Sequence, residues 1–514
     1  MSYPKQLLRL RPTRGLVLDT PSSEVGPDFY TTGSNVVFRN GFAQRIGGAR
    51  AAYAQNTVDP VHHLMNARAP GGITESNFWL VFGDDEIQAL ETSNISDITG
   101  SALTPVTASW QWCATWLNNI PCFTNGLDAP RYWAGDVGTP AADLPNWPAG
   151  TICKSLFAFK HHLIALDIDG PSGHFESQIL WSDAAAPGDV PATWTAAANN
   201  EAGDDILAET PGPALCGISL LDTGLIFKRS STYALNYVEG EDVFSTRLLD
   251  GTRGALTRRA VADVGGHALV VTDGDVMMTD GTNWQSLAQG RIRDHIFGQL
   301  DQDSYEMLFV VFDRARGEAR IYYPTTGNSF CNECVVYHVA SDAFSVLPAE
   351  DVSHAAVGVI NDLSPDESWD VDSEVWDDDT SAWNSANFSL ANEQLLVAQN
   401  SDVLTLENAG ASVAVDALLS KHDMSMGAPE RFKFVRRVHV RTNGTPGTLY
   451  VRVGSRATAA GSITWGAEVA LAPAAPFVNC RAQGRFISVD VRSEDEDQWL
   501  IAGIDIEYEL RGYV

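Results

Sequence analysis

Hydrophobic and polar positions alternate with a period of two through most of this chain, in short runs that stop at Gly, Asn, Asp or Pro. The pattern is clearest early on, where Val37 and Arg39 fall on one face of an extended run and Val36 and Phe38 on the other. Asn40-Gly41 then supplies the two positive-φ positions of a type I′ turn, and Phe42 to Ile46 returns as the second strand of a hairpin. Similar pairs recur at Asn77–Leu90, Trp110–Trp133, Leu156–Ser182 and Gly217–Val238. They continue through Val264–Trp284, with Asp273-Gly274 and Asp280-Gly281 as its turns, then Tyr305–Tyr323, Val335–Val346 and Gln394–Leu406. No segment sustains a helical period. Hairpins repeating about every 40–55 residues predict a radial array of blades, about six to eight across residues 51–419. A stack of β-sandwiches is the competing architecture.

Residues 420–514 read differently. Phe432–Arg441, Thr448–Val453, Phe486–Arg492 and Leu500–Leu510 each alternate strictly, which predicts a compact sheet or sandwich of about five to seven strands. The expected fold is therefore all-β. A β-propeller over 51–419 is inserted into a β-rich platform made from both chain ends, 1–50 and 420–514.

Charge sharpens this division. The net charge is −31 and is unevenly spread. Residues 1–50 hold seven Lys/Arg against three Asp/Glu (+4), residues 420–514 hold twelve against eleven (+1), and 51–419 hold fifteen against fifty-one (−36). A protein that grips DNA phosphates would show the opposite sign in its largest part. The seven cysteines are scattered and odd in number, as expected for buried thiols in a reducing compartment. Met1–Arg14 has four basic residues but no apolar core, so it does not read as a signal peptide. No run of about 18 apolar residues offers a membrane-spanning helix.

Candidate chemistry is sparse. The GxSxG, HExxH and GxxxxGK[ST] patterns are absent, and we expect no enzyme and no cofactor. Cys331-Asn332-Glu333-Cys334 is a single CxxC with no second pair, which suits a hairpin thiol pair better than zinc. His62-His63 and His161-His162 are strand or turn neighbours whose side chains diverge, so they do not chelate together. Thr279-Asp280-Gly281-Thr282-Asn283-Trp284 has the flavour of a sialidase Asp-box, with the glycine one position too early.

Two stretches stand out as surfaces. Trp369, Trp376 and Trp383 fall seven apart within an insertion at 364–388 that carries Asp366, Glu367, Asp370, Asp372, Glu374, Asp377, Asp378 and Asp379. It reads as a channel-facing acidic loop, a calcium loop lacking EF-hand spacing, or a solvated hairpin with packed Trp rings. The second stretch interleaves Arg431, Lys433, Arg436, Arg437 and Arg441 with apolar residues. Half-buried strands require such alternation, and nearby acids balance the charge, so a protein-docking face is favoured over a DNA site.

Gly15-Leu16, Asp19-Thr20-Pro21, Phe29-Tyr30 and Asn35-Val36-Val37-Phe38-Arg39-Asn40-Gly41 resemble the opening of the tail nozzle (tail tube) proteins of short-tailed bacteriophages. Gln483–Val489 and Trp499–Glu507 resemble the far end of that family. The resemblance implies a structural virion protein, made and assembled in the host cytoplasm. It would form a ring, usually of six copies, beneath the tail adaptor, and would carry fibres or a plug. Phage DNA would pass through the lumen without specific binding, and the acidic middles would keep it from sticking. The rival class is a ligand-binding propeller of lectin-like or cell-surface type.

Overall fold

The computed structural model describes the chain apart from residues 1–4, 49, 52–57, 59, 69–76, 92–93, 239–242, 360–392, 400–401, 406–414, 444–446, 460, 472–476, 495–497 and 514. Its strands form five four-stranded sheets, two six-stranded sheets and one of seven strands. Helix is limited to Arg293–Gln299 and two single 3-10 turns among the described residues.

The four-stranded sheets are consecutive up-and-down meanders, and their first strands are His63–Arg68, Cys113–Leu117, Ile152–Phe159, Cys216–Leu220 and Val261–Asp263. These are blades 1 to 5 of a β-propeller. The seven-stranded sheet supplies two more. Its long strand Ala343–Val359 breaks register near Asp351, which has φ 48°. The first half is the outer strand of blade 6, paired with Cys331–His338. The second half becomes the inner strand of blade 7, where His354 stacks on His63 of blade 1 at 3.9 Å and lies 5.3 Å from Phe309 of blade 6. Blade 7 is completed by Glu393–Gln399, Asp402–Thr405 and, as its outermost strand, Arg50–Ala51. A strand from before blade 1 thus closes the circle of seven.

The second strand of a blade lies between two neighbouring blades, so Asn77–Phe82, Ala268–Thr272 and Glu318–Tyr323 are buried throughout, the last with Glu318 and Arg320 paired within it. Separate cores fill the gaps between blades. Phe82 meets Phe123 at 5.1 Å between blades 1 and 2, and the Trp79 indole donates to the Val359 carbonyl at 3.0 Å between blades 1 and 7. The inner strands carry only Asp263 and Asp313 as acids, and Asp313 is buried. Most described acids of the middle segment therefore lie on loops or on the second to fourth strands of the blades, among them Asp167, Asp169 and Glu318 on second strands.

The platform is a pair of six-stranded sheets around one hydrophobic core. In the first sheet the Leu500–Tyr513 strand is central, pairing on one side with Arg431–Thr442 and on the other with Phe42–Arg45 and Lys5–Leu10. The second sheet orders Thr32–Ser34, Ala417–Met424, Phe486–Ser493 and Leu449–Arg456, with two short edge strands. Each sheet therefore mixes both chain ends.

The early hairpin joins platform to propeller. Asn40 and Gly41 have φ 50° and 80°, and Arg39 pairs with Phe42 across them, the two-residue turn expected of Asn-Gly. Its two faces serve different bodies: Val36 and Phe38 enter the platform core, while Val37 enters the core between blades 6 and 7. Beyond it, Arg39 donates to Glu318 (Nη2 to Oε2, 3.0 Å), which also accepts from Arg320 at 3.0 Å, with Glu318 and Arg320 almost solvent-free. Upstream, Gly15 and Leu16 lie along the outer edge of blade 6, where the Leu16 N–H donates to the Phe344 carbonyl at 2.8 Å. The strap ends at Asp19, whose carboxylate accepts from the first backbone amides of the Arg293–Gln299 helix at 3.0 and 3.1 Å. Strap and hairpin cover the outer edge of blade 6 beside the platform.

Candidate docking face of the platform

The outward side of the first platform sheet gathers charges from three strands. In Lys5–Leu10, period-two alternation places Leu8 and Leu10 against the core and Lys5, Leu7 and Arg9 outward. These three sit directly opposite Glu509, Glu507 and Asp505 of the Leu500–Tyr513 strand. On that strand's other side, Arg436 bonds Glu509 at 2.7 Å and Arg441 bonds Asp505 at 3.3 Å. Lys5 reaches Glu507 at 3.1 Å, and Arg511 lies 3.8 Å from Glu509.

Burial is unequal across these pairs. The Glu509 side chain is 5% exposed and Asp505 15%, whereas Arg436 and Arg441 are 44% and 45% exposed and Lys5 60%. The acids are roofed by the cations that pair with them. With Arg9, Arg437 and Arg511 added, six basic residues stand over three acids, and the solvent-facing layer is cationic. Aromatic rings brace two guanidinium groups, Arg437 over Phe477 at 4.4 Å and Arg511 over Phe434 at 4.0 Å. Such pairs contribute little to stability at an exposed surface, about 0–1 kcal/mol each, so their effect is to present charge.

Of the five basic residues that the sequence groups together in Arg431–Thr442, the structure brings Arg436, Arg437 and Arg441 to this face. Lys433 is a correction. It is fully buried, its ammonium donating to the carbonyls of Ala428 and, at 2.6 Å, Arg485, and burial pulls its pKa down to about 8. The cause is a register shift between Val435 and Arg437 against Leu500–Tyr513. Strict alternation fails there, because the bulge flips the buried set from Lys433 and Val435 to Val438 and Val440. Arg431 turns toward the strand end and donates to the Arg511 carbonyl at 3.2 Å. Lys5, Arg9, Arg511 and the three acids were not grouped with this face by the sequence, although the spacing of Lys5, Leu7 and Arg9 already marks one side of a strand.

The other sequence candidates fall elsewhere. Asp366, Glu367, Asp370, Asp372, Glu374, Asp377, Asp378 and Asp379 lie outside the described residues. His62 is buried between Ser109 at 2.9 Å and Asp84 at 2.6 Å, and His162 is buried against the Ser182 carbonyl at 2.8 Å. His63 stacks in the blade 7–blade 1 seam, where burial pushes its pKa down to about 3. Cys331 and Cys334 lie in the core between blades 6 and 7, and burial pushes the Cys331 thiol up. Among the described residues no three His, Cys, Asp or Glu side chains converge as a metal site. Asp280 ties its own turn, accepting from the Thr282 and Asn283 amides at 2.8 and 2.7 Å, which holds its carboxyl down at about 2.

No family model matches the chain, and no curated protein matches it. Among solved structures it is similar to the β-propeller domain of Myceliophteria thermophila Cps50 (Swd1), at 9% identity over 71% of this chain and 99% of that one, TM-score 0.41. It is similar to the WD40 β-propeller domain of Doa1, at 8% identity over 70% and 96%, TM-score 0.38. It is also similar to YCF48 bound to D1 peptide, at 10% identity over 71% and 97%, TM-score 0.36.

Proposed function

We propose that this β-propeller protein is a structural component of a short phage tail. Copies assemble as a ring, six-fold by the resemblance of the chain ends, below a tail adaptor, and the ring prolongs the conduit through which DNA leaves. Fibre or plug proteins attach to it, DNA passes without specific binding, and the chain has no catalytic role. The observation that carries this reading is the spatial separation of charge. A cation-presenting sheet built from both chain ends is fixed to a propeller segment of net charge −36. A docking surface and a DNA-repelling wall are then different parts of one chain. Screening over about 8 Å at physiological salt confines the repulsion to the wall, so the conduit resists sticking without opposing assembly at a distance.

Negative-stain images of the full chain mixed with a portal–adaptor complex test the proposal. Rings with a central hole below the adaptor are expected, together with loss of docking when Arg436, Arg437 and Arg441 are replaced by Glu. Failure to dock, combined with saturable binding to a glycan array, would replace this reading with the ligand-binding propeller.

A further inference from the structure

One turn of the propeller breaks the rules of its neighbours. The hairpin between the first and second strands of blade 4 has two central residues, Leu221 and Asp222, flanked by the pair Leu220–Thr223. Leu221 has φ 50° and is 83% exposed. Equivalent turns use Asn118-Asn119 in blade 2 (φ 51° and 68°), Lys160 in blade 3 (φ 55°) and Gly265-Gly266 in blade 5 (φ 65° and 91°), so the left-handed backbone recurs and blade 4 differs in placing an apolar side chain on it. A branched apolar side chain at a left-handed position, held in water, serves neither folding nor solubility.

Leu221 also has apolar company. Asn236 pairs with Thr223, so Tyr237 and Val238, 43% and 41% exposed, emerge beside the same turn. Asp222, 94% exposed, flanks the patch and is held by Lys160 of blade 3 at 2.6 Å. An apolar centre with an exposed carboxylate at its rim, on a segment of net charge −36, fits a partner with an apolar centre and a cationic rim.

This chain presents such a surface. Leu7 is 49% exposed at the middle of the outward face of Lys5–Leu10, between Lys5 and Arg9, on a strand that among the described residues pairs only along its Leu500–Tyr513 side. We propose that the Leu221 turn of blade 4 receives the Lys5–Leu7–Arg9 face of a neighbouring copy. The contact is heterologous, since propeller meets platform, which is the kind that closes rings. It rests on the ring reading above in taking a second copy as the neighbour.

Photo-crosslinking of the full chain tests it, with p-benzoylphenylalanine at position 7 and purified protein at high concentration. A covalent dimer is expected, with the crosslink mapping to residues 216–238. Leu221→Asn should leave the melting temperature unchanged or higher, because Asn accepts the positive φ, while lowering the crosslinked yield about tenfold. Lys5→Glu/Arg9→Glu should lower it similarly. Mixing Leu221→Asp with Lys5→Glu/Arg9→Glu leaves one intact contact per pair, so a 1:1 dimer that does not grow is expected in sedimentation velocity. No crosslink, a crosslink mapping elsewhere or only to an added adaptor, or an undiminished yield in Leu221→Asn overturns the proposal. Rings whose crosslinks map elsewhere would refute this contact and leave the ring reading standing. The expected crosslink in open chains without a central hole would keep the contact and refute the conduit.

Discussion

Two glycines with nearly the same backbone angle separate conformational strain from steric exclusion at the joint between platform and propeller. Gly15 has φ 76° and Gly41 φ 80°. A Cβ added at Gly41 meets nothing within 4 Å, so Gly41→Ala carries only the left-handed penalty, about 1–2 kcal/mol. A Cβ added at Gly15 lies 2.2 Å from the Phe344 carbonyl oxygen and 2.6 Å from its nitrogen. Backbone atoms in the outer strand of blade 6 cannot swing aside, so the strap must lift. Lifting breaks the Leu16–Phe344 hydrogen bond of 2.8 Å and exposes a Leu16 side chain that is now 1% accessible. At about 1 kcal/mol for the bond and 1.5–3 kcal/mol for the leucine, Gly15→Ala should cost roughly 2.5–4 kcal/mol more than Gly41→Ala. Limited proteolysis reads the opening directly when reclosing is fast. Cleavage within residues 15–30 should accelerate roughly 70-fold or more in Gly15→Ala relative to Gly41→Ala. Equal cleavage rates in the two variants would falsify the claim that the strap is seated on blade 6.

Glu318→Gln leaves Arg39 and Arg320 beside an uncharged partner in a nearly dry site, and urea unfolding should show a loss of about 3–5 kcal/mol; a loss under 1 kcal/mol would mean that the latch is not coupled to stability. Lys421 is buried with its ammonium donating to the carbonyls of Val25, Gly26 and Phe29 at 2.8–2.9 Å, and burial pulls its pKa down to about 7, against the pull of Asp28. Between about pH 7 and 10.5 the unfolded chain therefore binds more protons at this site, so its contribution to stability rises with pH across that window and is least favourable below it. Stability–pH curves of the parent and Lys421→Met should diverge there, and parallel curves would remove the argument. Duplex DNA should not be retained at physiological ionic strength, and sub-micromolar binding with a steep salt slope traced to 51–419 would contradict the repelling wall.

The all-β fold was legible because turn residues are local: Asn40-Gly41 and Asp273-Gly274 each determine a hairpin from two letters. The repeated hairpins also announced a propeller. The continuation of Ala343–Val359 into blade 7 was not legible, since Pro348, Glu350 and Asp351 interrupt the apolar run and the sequence pattern ends the strand at Val346. Nor was the second role of the early hairpin, because period-two alternation says that Val37 and Phe38 face opposite ways without saying that both sides are occupied. The cationic face of the platform was half visible. Basic residues in Arg431–Thr442 could be counted, but a bulge that inverts their facing leaves no mark in composition, and Lys433 went inward. The cations of Lys5–Leu10 lie some 430 positions away and join the face only through pairing with Leu500–Tyr513.

That pairing also sets an order of events during synthesis. The Leu500–Tyr513 strand is the spine of its sheet, yet it is made about 450 residues after the hairpin it must join. At about 5–20 residues per second, the strand Lys5–Leu10 and the hairpin wait on the order of half a minute to a minute and a half while the seven blades emerge. A nascent chain interrupted before residue 500 holds a propeller-forming segment but has no template for the sheet that presents Lys5, Arg436 and Arg441. On the ring reading proposed above, translation of the Leu500–Tyr513 strand acts as a timer on assembly, and chains interrupted before it lack the proposed docking face.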